Sequence, residues 1–151
     1  MEFITLQNRS LSEILGVFNL SFSDYPVPVN LTSERLDEKL ATEGIDLNLS
    51  VGVLKENCLV AFILHGVRET GGTKVFYNAG TGVIPTERGQ QLTTQMYHYI
   101  LPELKKQQCA SGQLEVLSTN YAALKAYQKI GFSSTRELIC YEGVPKPAKL
   151  N

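Results

Sequence analysis

Three β-favouring runs stand almost end to end in the middle of this 151-residue chain: "LNLSVGVLK" from Leu47, "CLVAFILHGV" from Cys58 and "KVFYNAGTGVI" from Lys74. They are rich in the branched and aromatic residues that suit a pleated surface. Glu56-Asn57 between the first two is a tight hairpin signal, and "RETGGTK" between the second and third reads as a longer loop. Connections this short imply antiparallel neighbours.

Helical and strand patterns alternate around that centre. "FITLQ" (Phe3 to Gln7) alternates like a half-buried strand. Ser10 or Ser12 is placed to cap a helix through Ile14, Leu15, Phe18 and Leu20, and two prolines in "SDYPVPVN" break regular structure after it. "LTSERLDEKLATEG" predicts a second helix, capped by Thr32 and closed by Gly44. Beyond the centre, "TGVIPTERGQQLTTQM" (Thr81 to Met96) begins as a strand and ends as a helix. Its apolar stripe is Leu92, Met96, Tyr99 or Ile100, and Leu104, with Pro102 expected to kink or end it. "QLEVLS" predicts a short strand, "NYAALKAYQKIGF" a helix closed by Gly131, and "STRELICYEG" a last alternating strand. The proline- and lysine-rich end, residues 144–151, reads as an extended or frayed tail. The expectation is one domain over residues 1–143, of α/β (α+β) class, with a mostly antiparallel sheet.

Composition narrows the function. The length suits one domain with a real core, and a net charge of −1 without a basic block gives little support to a nucleic-acid surface. Cys58, Cys109 and Cys140 are widely spaced and odd in number, so they read as small buried hydrophobes in a reducing compartment. Two histidines, His65 and His98, with no Cys-x-x-Cys or His-Glu-x-x-His, argue against a metal site. "MEFITLQNRS" lacks the pattern of a signal peptide, and no run reaches the ~20 apolar residues of a membrane span. A cytoplasmic protein is expected.

Two stretches carry chemistry. In the first, a strand turns into a helix through Arg88 and Gly89. Exposed N–H groups and the positive dipole end favour an anion at a helix N-terminus. Gly89 lets the backbone approach a ligand, Arg88 adds positive charge, and Thr93 and Thr94 offer hydroxyls. No Walker or Gly-x-Gly-x-x-Gly pattern is present, and a plain tight turn accounts for the stretch at least as well. In the second, Asn120 and Tyr127 lie seven apart, close to two helical turns, with Ala123 between them on nearly one face. A phenol of ordinary pKa ~10 suits proton donation to a basic leaving group. From this segment alone, a capping asparagine and a core tyrosine are the favoured reading.

Taken together, strand, turn and Arg-Gly-containing helix, then strand, Asn-x-Ala-Ala-x-x-x-Tyr helix and Gly-Phe, resemble the GNAT superfamily of acyl-CoA-dependent N-acetyltransferases. The resemblance covers the chain to about Gly143 and is most specific from Asn120 to Phe132. It implies a central mixed sheet flanked by about four helices and acetyl-CoA as cosubstrate, with no metal. It implies that the backbone of Thr81 and Val83 pairs with the pantetheine arm. The amides of Arg88, Gly89, Gln90, Gln91, Leu92 and Thr93 would cradle the pyrophosphate. Asn120 would contact the pantetheine, and Tyr127 would protonate the departing thiolate after direct attack by an amine. Gln91 and Thr93 stand where the family pattern Gln/Arg-x-x-Gly-x-Gly/Ala has its small residues.

Asp24 and Tyr25 fall in the loop where this family often forms an acceptor wall; a turn with a solvated aspartate is an equal reading. Tyr77 and Asn78 precede the cofactor strand and are candidates to face the acceptor. Glu87 and Glu115 are candidate bases, Glu87 reading more simply as an exposed partner of the helix dipole. The partner expected is a small-molecule or peptide amine, without nucleic acid or membrane. The family sheet ends in a seventh strand, and "FSDYPVPVNLT" and "YNAGTGVIP" resemble the first half of tandem two-domain GNAT proteins. A homodimer or a second GNAT domain is therefore a further expectation. The rival from another class is a catalytically silent GNAT domain that binds or scaffolds.

Overall fold

The structure, a computed structural model, describes residues 1–27 and 29–144. Pro28, one of the two loop prolines, and residues 145–151 of the tail lie outside the described residues. Five strands form one sheet in the order β1 (Glu2–Thr5), β2 (Val51–Lys55), β3 (Cys58–Thr70), β4 (Thr73–Val83) and β5 (Cys109–Leu114). The first three junctions are antiparallel and β4–β5 is parallel. The parallel pair needs a crossover, which α3 (Leu92–Lys106) supplies.

Local chemistry explains most boundaries. Ser10 caps α1 (Leu11–Ser21) in a reciprocal box with Glu13, and the Thr32 hydroxyl caps α2 (Ser33–Thr42) by accepting from Arg35 N–H. Glu56 and Asn57 both take positive φ, which gives a two-residue turn matched to strand twist. α4 (Tyr121–Ile130) is capped by Asn120 and closed by Gly131 at φ 111°.

The sheet carries a core on each face. Against α1 and α2 it buries Leu6, Ile14, Val17, Phe18, Leu36, Phe62 and Leu64. Against α3 and α4 it buries Val51, Val53, Ala61, Ile63 and Phe76 under Met96, Tyr97, Ile100, Leu104 and Tyr127. This second core is aromatic at its β4–β5 end, where His65, Phe76, Tyr97, Tyr127 and Phe132 meet mostly edge to face.

Several expectations are corrected. The β3–β4 connection is a two-residue Gly71-Gly72 turn rather than a longer loop, both glycines holding positive φ. β5 is Cys109–Leu114, four residues upstream of the predicted "QLEVLS", because pairing with β4 fixes the strand. Tyr97 belongs to the buried stripe of α3 and Tyr99 does not. Pro102 does not end α3, which runs on to Lys106. "STRELICYEG" forms no strand: residues 133–144 carry no regular structure, and Leu138, Ile139, Tyr141 and Val144 are exposed. Cys140 is accordingly exposed rather than core, Cys58 is also exposed, and Cys109 is half-buried. No helix among the described residues is long and apolar enough to cross a membrane.

Candidate active site

The site begins where two strands part. β4 and β5 pair from Lys74–Cys109 to Asn78–Leu114, and no pairing follows. β4 itself runs on to Val83 against β3 alone, after a bulge at Ala79, which has no partner in the β3 register. Ile84 N–H donates to Val60 O at 3.0 Å on the β3 side. Main-chain groups alternate along an antiparallel strand, so those of Val83 and Thr81 turn to the other side, into the gap that β5 has left.

Asn78 fixes the parting point. Its Nδ2 donates to the Thr81 hydroxyl and to the Tyr97 hydroxyl, each at 2.8 Å, and its Oδ1 accepts from Gly80 N–H at 2.9 Å. One buried amide thus closes the bulge and ties it to α3. Sequence reasoning took Asn78 only as a neighbour of the acceptor and missed Tyr97; adjacent polar and aromatic residues around Gly80 were the available signal.

At the upper end of the gap, β4 passes through a 3₁₀ turn, Pro85–Glu87, into α3. Gly89 has φ 80°, and Gln91, the N-cap, sits in the left-handed region at φ 57° with no side-chain cap bond. Among the described residues, none of the main-chain N–H groups from Gly89 to Thr94 donates to a protein group. Six consecutive free amides at the positive end of a 15-residue helix form a run of donors suited to an anion. The turn is braced from below. Glu87, buried and not exposed as expected, pairs with Lys55 Nζ at 2.7 Å and accepts from Gln90 Nε2 at 2.9 Å. These bonds hold its carboxyl below the usual range, so it stays charged and paired rather than acting as a base.

Tyr127 projects from α4 to the same gap. Its side chain is 8% exposed, packed against the rings of Tyr97 and Phe132. Burial raises its phenol above the ordinary range, and hydrogen bonding toward Thr81 and Asn78 pulls it partly back. A phenol so placed stays protonated at neutral pH, as a proton donor must. Asn120 caps α4, the reading favoured from its segment alone, Oδ1 accepting from Ala123 N–H at 3.2 Å, and its Nδ2 donates to the Tyr25 hydroxyl at 3.3 Å.

Arg88 is not a free cation. It forms a two-pronged pair with Asp24 at 2.6 and 2.9 Å and donates to Ser21 O at 2.9 Å and Val83 O at 3.2 Å. Asp24, expected to be either solvated or part of an acceptor wall, is therefore bound to the turn before α3, and Arg88 holds its carboxyl below the usual range. Tyr77 packs its ring under the Arg68 guanidinium at 5.0 Å, and burial together with Glu115 raises its phenol. Glu115 and His98 are exposed. His65 is wholly buried, its Nδ1 3.0 Å from Leu49 O and its Nε2 without a partner, and desolvation lowers its pKa to about 4. It is a neutral core residue at neutral pH. An open hollow of about 530 Å³ lies beside β1, at the opposite sheet edge, remote from these groups.

A split between β4 and a parallel β5, with a bulge at the split and a donor-lined helix start beside it, defines an acyltransferase-type architecture. Residues 14–132 match the acetyltransferase (GNAT) family, and the chain belongs to that family. A search of curated protein sequences gives no match. Solved structures with the same fold include the aminoglycoside N-acetyltransferase AAC(6')-Iy in complex with a bisubstrate analogue, 16% identical over 94% of this chain and 97% of that one, with a TM-score of 0.69. An aminoglycoside acetyltransferase from an uncultured soil metagenomic sample is 13% identical over 96% and 95%, with a TM-score of 0.72. The ribosomal-protein-alanine N-acetyltransferase of Brucella melitensis biovar Abortus 2308 is 11% identical over 94% and 98%, with a TM-score of 0.69. At these identities the likeness is one of fold.

Proposed function

We propose that this chain is a cytoplasmic N-acetyltransferase that transfers acetyl from acetyl-CoA to an amine. The observation that carries the reading is the row of free amides from Gly89 to Thr94 beside the unpaired half of β4. The amides of Arg88, Gly89, Gln90, Gln91, Leu92 and Thr93 take the pyrophosphate. Main-chain groups of Thr81 and Val83 receive the amide-bearing arm as an added strand would, and Asn120 contacts it from the facing wall. An acceptor amine, lying near Tyr25 and Tyr77, attacks the thioester carbonyl. The carbon–sulfur bond breaks, Tyr127 gives its proton to the thiolate, and the new amide nitrogen loses its extra proton to solvent. Structural relatives named for aminoglycoside and protein-alanine acetylation support a primary amine as acceptor class.

Residues 1–143 are proposed to form one domain. The outer side of β5 has no strand partner among the described residues, and an uncovered edge invites pairing. A second copy or a second GNAT domain is the proposed cover; sedimentation as a compact monomer with that edge protected from exchange would remove it. A silent GNAT domain is the competing reading, favoured by Gln91 and Thr93 at the family's small positions and by the capture of Arg88 by Asp24. Thermal unfolding separates the two. Acetyl-CoA at about 100 times its Kd should raise the melting temperature by about 5 to 10 °C, since a ligand of the folded state alone must stabilise it. No shift at millimolar acetyl-CoA would favour the silent domain.

A further inference from the structure

The segment Phe22–Val27 touches both walls of the cleft, and each touch falls on a residue assigned above to acetyl-CoA. On one wall Asp24 holds Arg88 through two hydrogen bonds. On the other the Tyr25 hydroxyl takes the Asn120 amide. Phe22 anchors the segment to α1, its ring 4.9 Å from Phe18, and Tyr25 stacks edge-on against Phe22 at 5.2 Å. The polar contacts at the tip are thus reversible while the root is packed in the core.

We propose that Phe22–Val27 is a clasp that acetyl-CoA must open, with Asp24 acting as an internal stand-in for the diphosphate. The inference rests on the cofactor reading above. Two electrostatic effects have the same sign. Asp24 neutralises the one cation on the turn bearing the free amides, and its own carboxylate repels an arriving phosphate. A diphosphate seated on those amides competes with Asp24 for Arg88, and an arm bound to Asn120 competes with Tyr25. Linkage is reciprocal, so a bound cosubstrate loosens the clasp by the same factor by which the clasp weakens binding.

Calorimetric titration with CoA tests the coupling. Asp24→Asn should tighten CoA by up to about five-fold, the range of an exposed ion pair, and the gain should shrink at high salt. In an Arg88→Gln background the gain from the same substitution should shrink to the part owed to direct repulsion between the Asp24 carboxylate and the phosphate; an undiminished gain would show that Asp24 does not act through Arg88. Backbone exchange at Ser23–Tyr25 in the wild-type protein should become faster when CoA is bound, the reverse of ordinary protection by a ligand. If the wild-type chain binds CoA and Asp24→Asn leaves Kd unchanged or weaker, the clasp is overturned and the cofactor reading stands. If the wild-type chain binds no CoA, both fall.

Discussion

The two halves of β4 have opposite fates. From Lys74 to Asn78 the strand is paired on both sides and buries Phe76; from Thr81 to Val83 it is paired with β3 alone. A single bulge at Ala79, held by Asn78, separates them. In the proposed reading the closed half contributes stability and the open half binding groups, so a substitution should affect one property with little change in the other.

The largest effect is expected in the open half, at Tyr127. Tyr127→Phe keeps the ring that packs on Tyr97 and Phe132 but removes the proton, so turnover should fall by about 100- to 10,000-fold with CoA affinity nearly intact. Steady-state rates on an amine panel, paired with CoA titration, check this; unchanged turnover would leave Tyr127 as packing alone.

His65, opposite Asn78 in the β3–β4 register, should govern the closed half. Its pKa is lowered from 6.5 to about 4 by burial, so the unfolded chain takes up a proton that the folded one refuses. The associated stability is complete above pH 6.5 and is lost as pH falls toward 4, by about 3 kcal/mol in all. Urea midpoints across that window should show the slope in the wild-type protein and lose it in His65→Leu. An identical slope in both would assign the acid sensitivity to carboxylates elsewhere.

Gly112 sharpens the contrast. It pairs with Phe76, and a Cβ there would run into the Phe76 ring. Gly112→Ala should cost about 1 to 3 kcal/mol in denaturant unfolding while the folded fraction binds CoA as before. Loss of CoA affinity would show that the two halves are coupled. The smallest effect is expected at Gln91, which holds φ 57° with a side chain where glycine has no steric cost. Gln91→Gly should stabilise the protein by about 1 kcal/mol or less and tighten CoA modestly. Weaker binding would show that the Gln91 side chain itself reaches the ligand.

The first hairpin and the helix ends are legible in the sequence because their signals are local. Glu56-Asn57 marks a two-residue turn at positive φ, and Ser10, Thr32 and Asn120 each reach a backbone N–H three residues on; Gly71-Gly72 makes the same kind of turn, but the polar residues flanking it read as a longer loop. β5 was misplaced for the opposite reason. "CASG" has weak strand propensity and is a strand only because β4 lies beside it, whereas "EVLS" has the propensity but follows the point where the strands part. Arg88, Asn120, Asp24 and Tyr25 each stand out as candidates in the sequence, but the pairing of Arg88 with Asp24 and of Asn120 with Tyr25 does not, because contacts across 64 and 95 positions leave no periodic trace. The strand pattern of residues 134–143 rests on alternation, which records a tendency to pair and not the presence of a partner among the described residues.

The bonds that brace the turn before α3 have a consequence for the order in which the molecule assembles. The β2–β3 and β3–β4 connections each close over two residues, whereas Glu87 reaches Lys55 across 32 positions and Arg88 reaches Asp24 across 64. Closing long loops costs entropy that must be met before their contacts form, so the central hairpins are set to zip first and the turn before α3 to lock late. Contacts absent from a folding transition state act mainly on the rate of opening. Weakening the Lys55–Glu87 or Asp24–Arg88 pair should therefore leave the speed of folding nearly unchanged and shorten the lifetime of the native state. Selection can then vary the turn before α3 without slowing the path by which the chain reaches its fold.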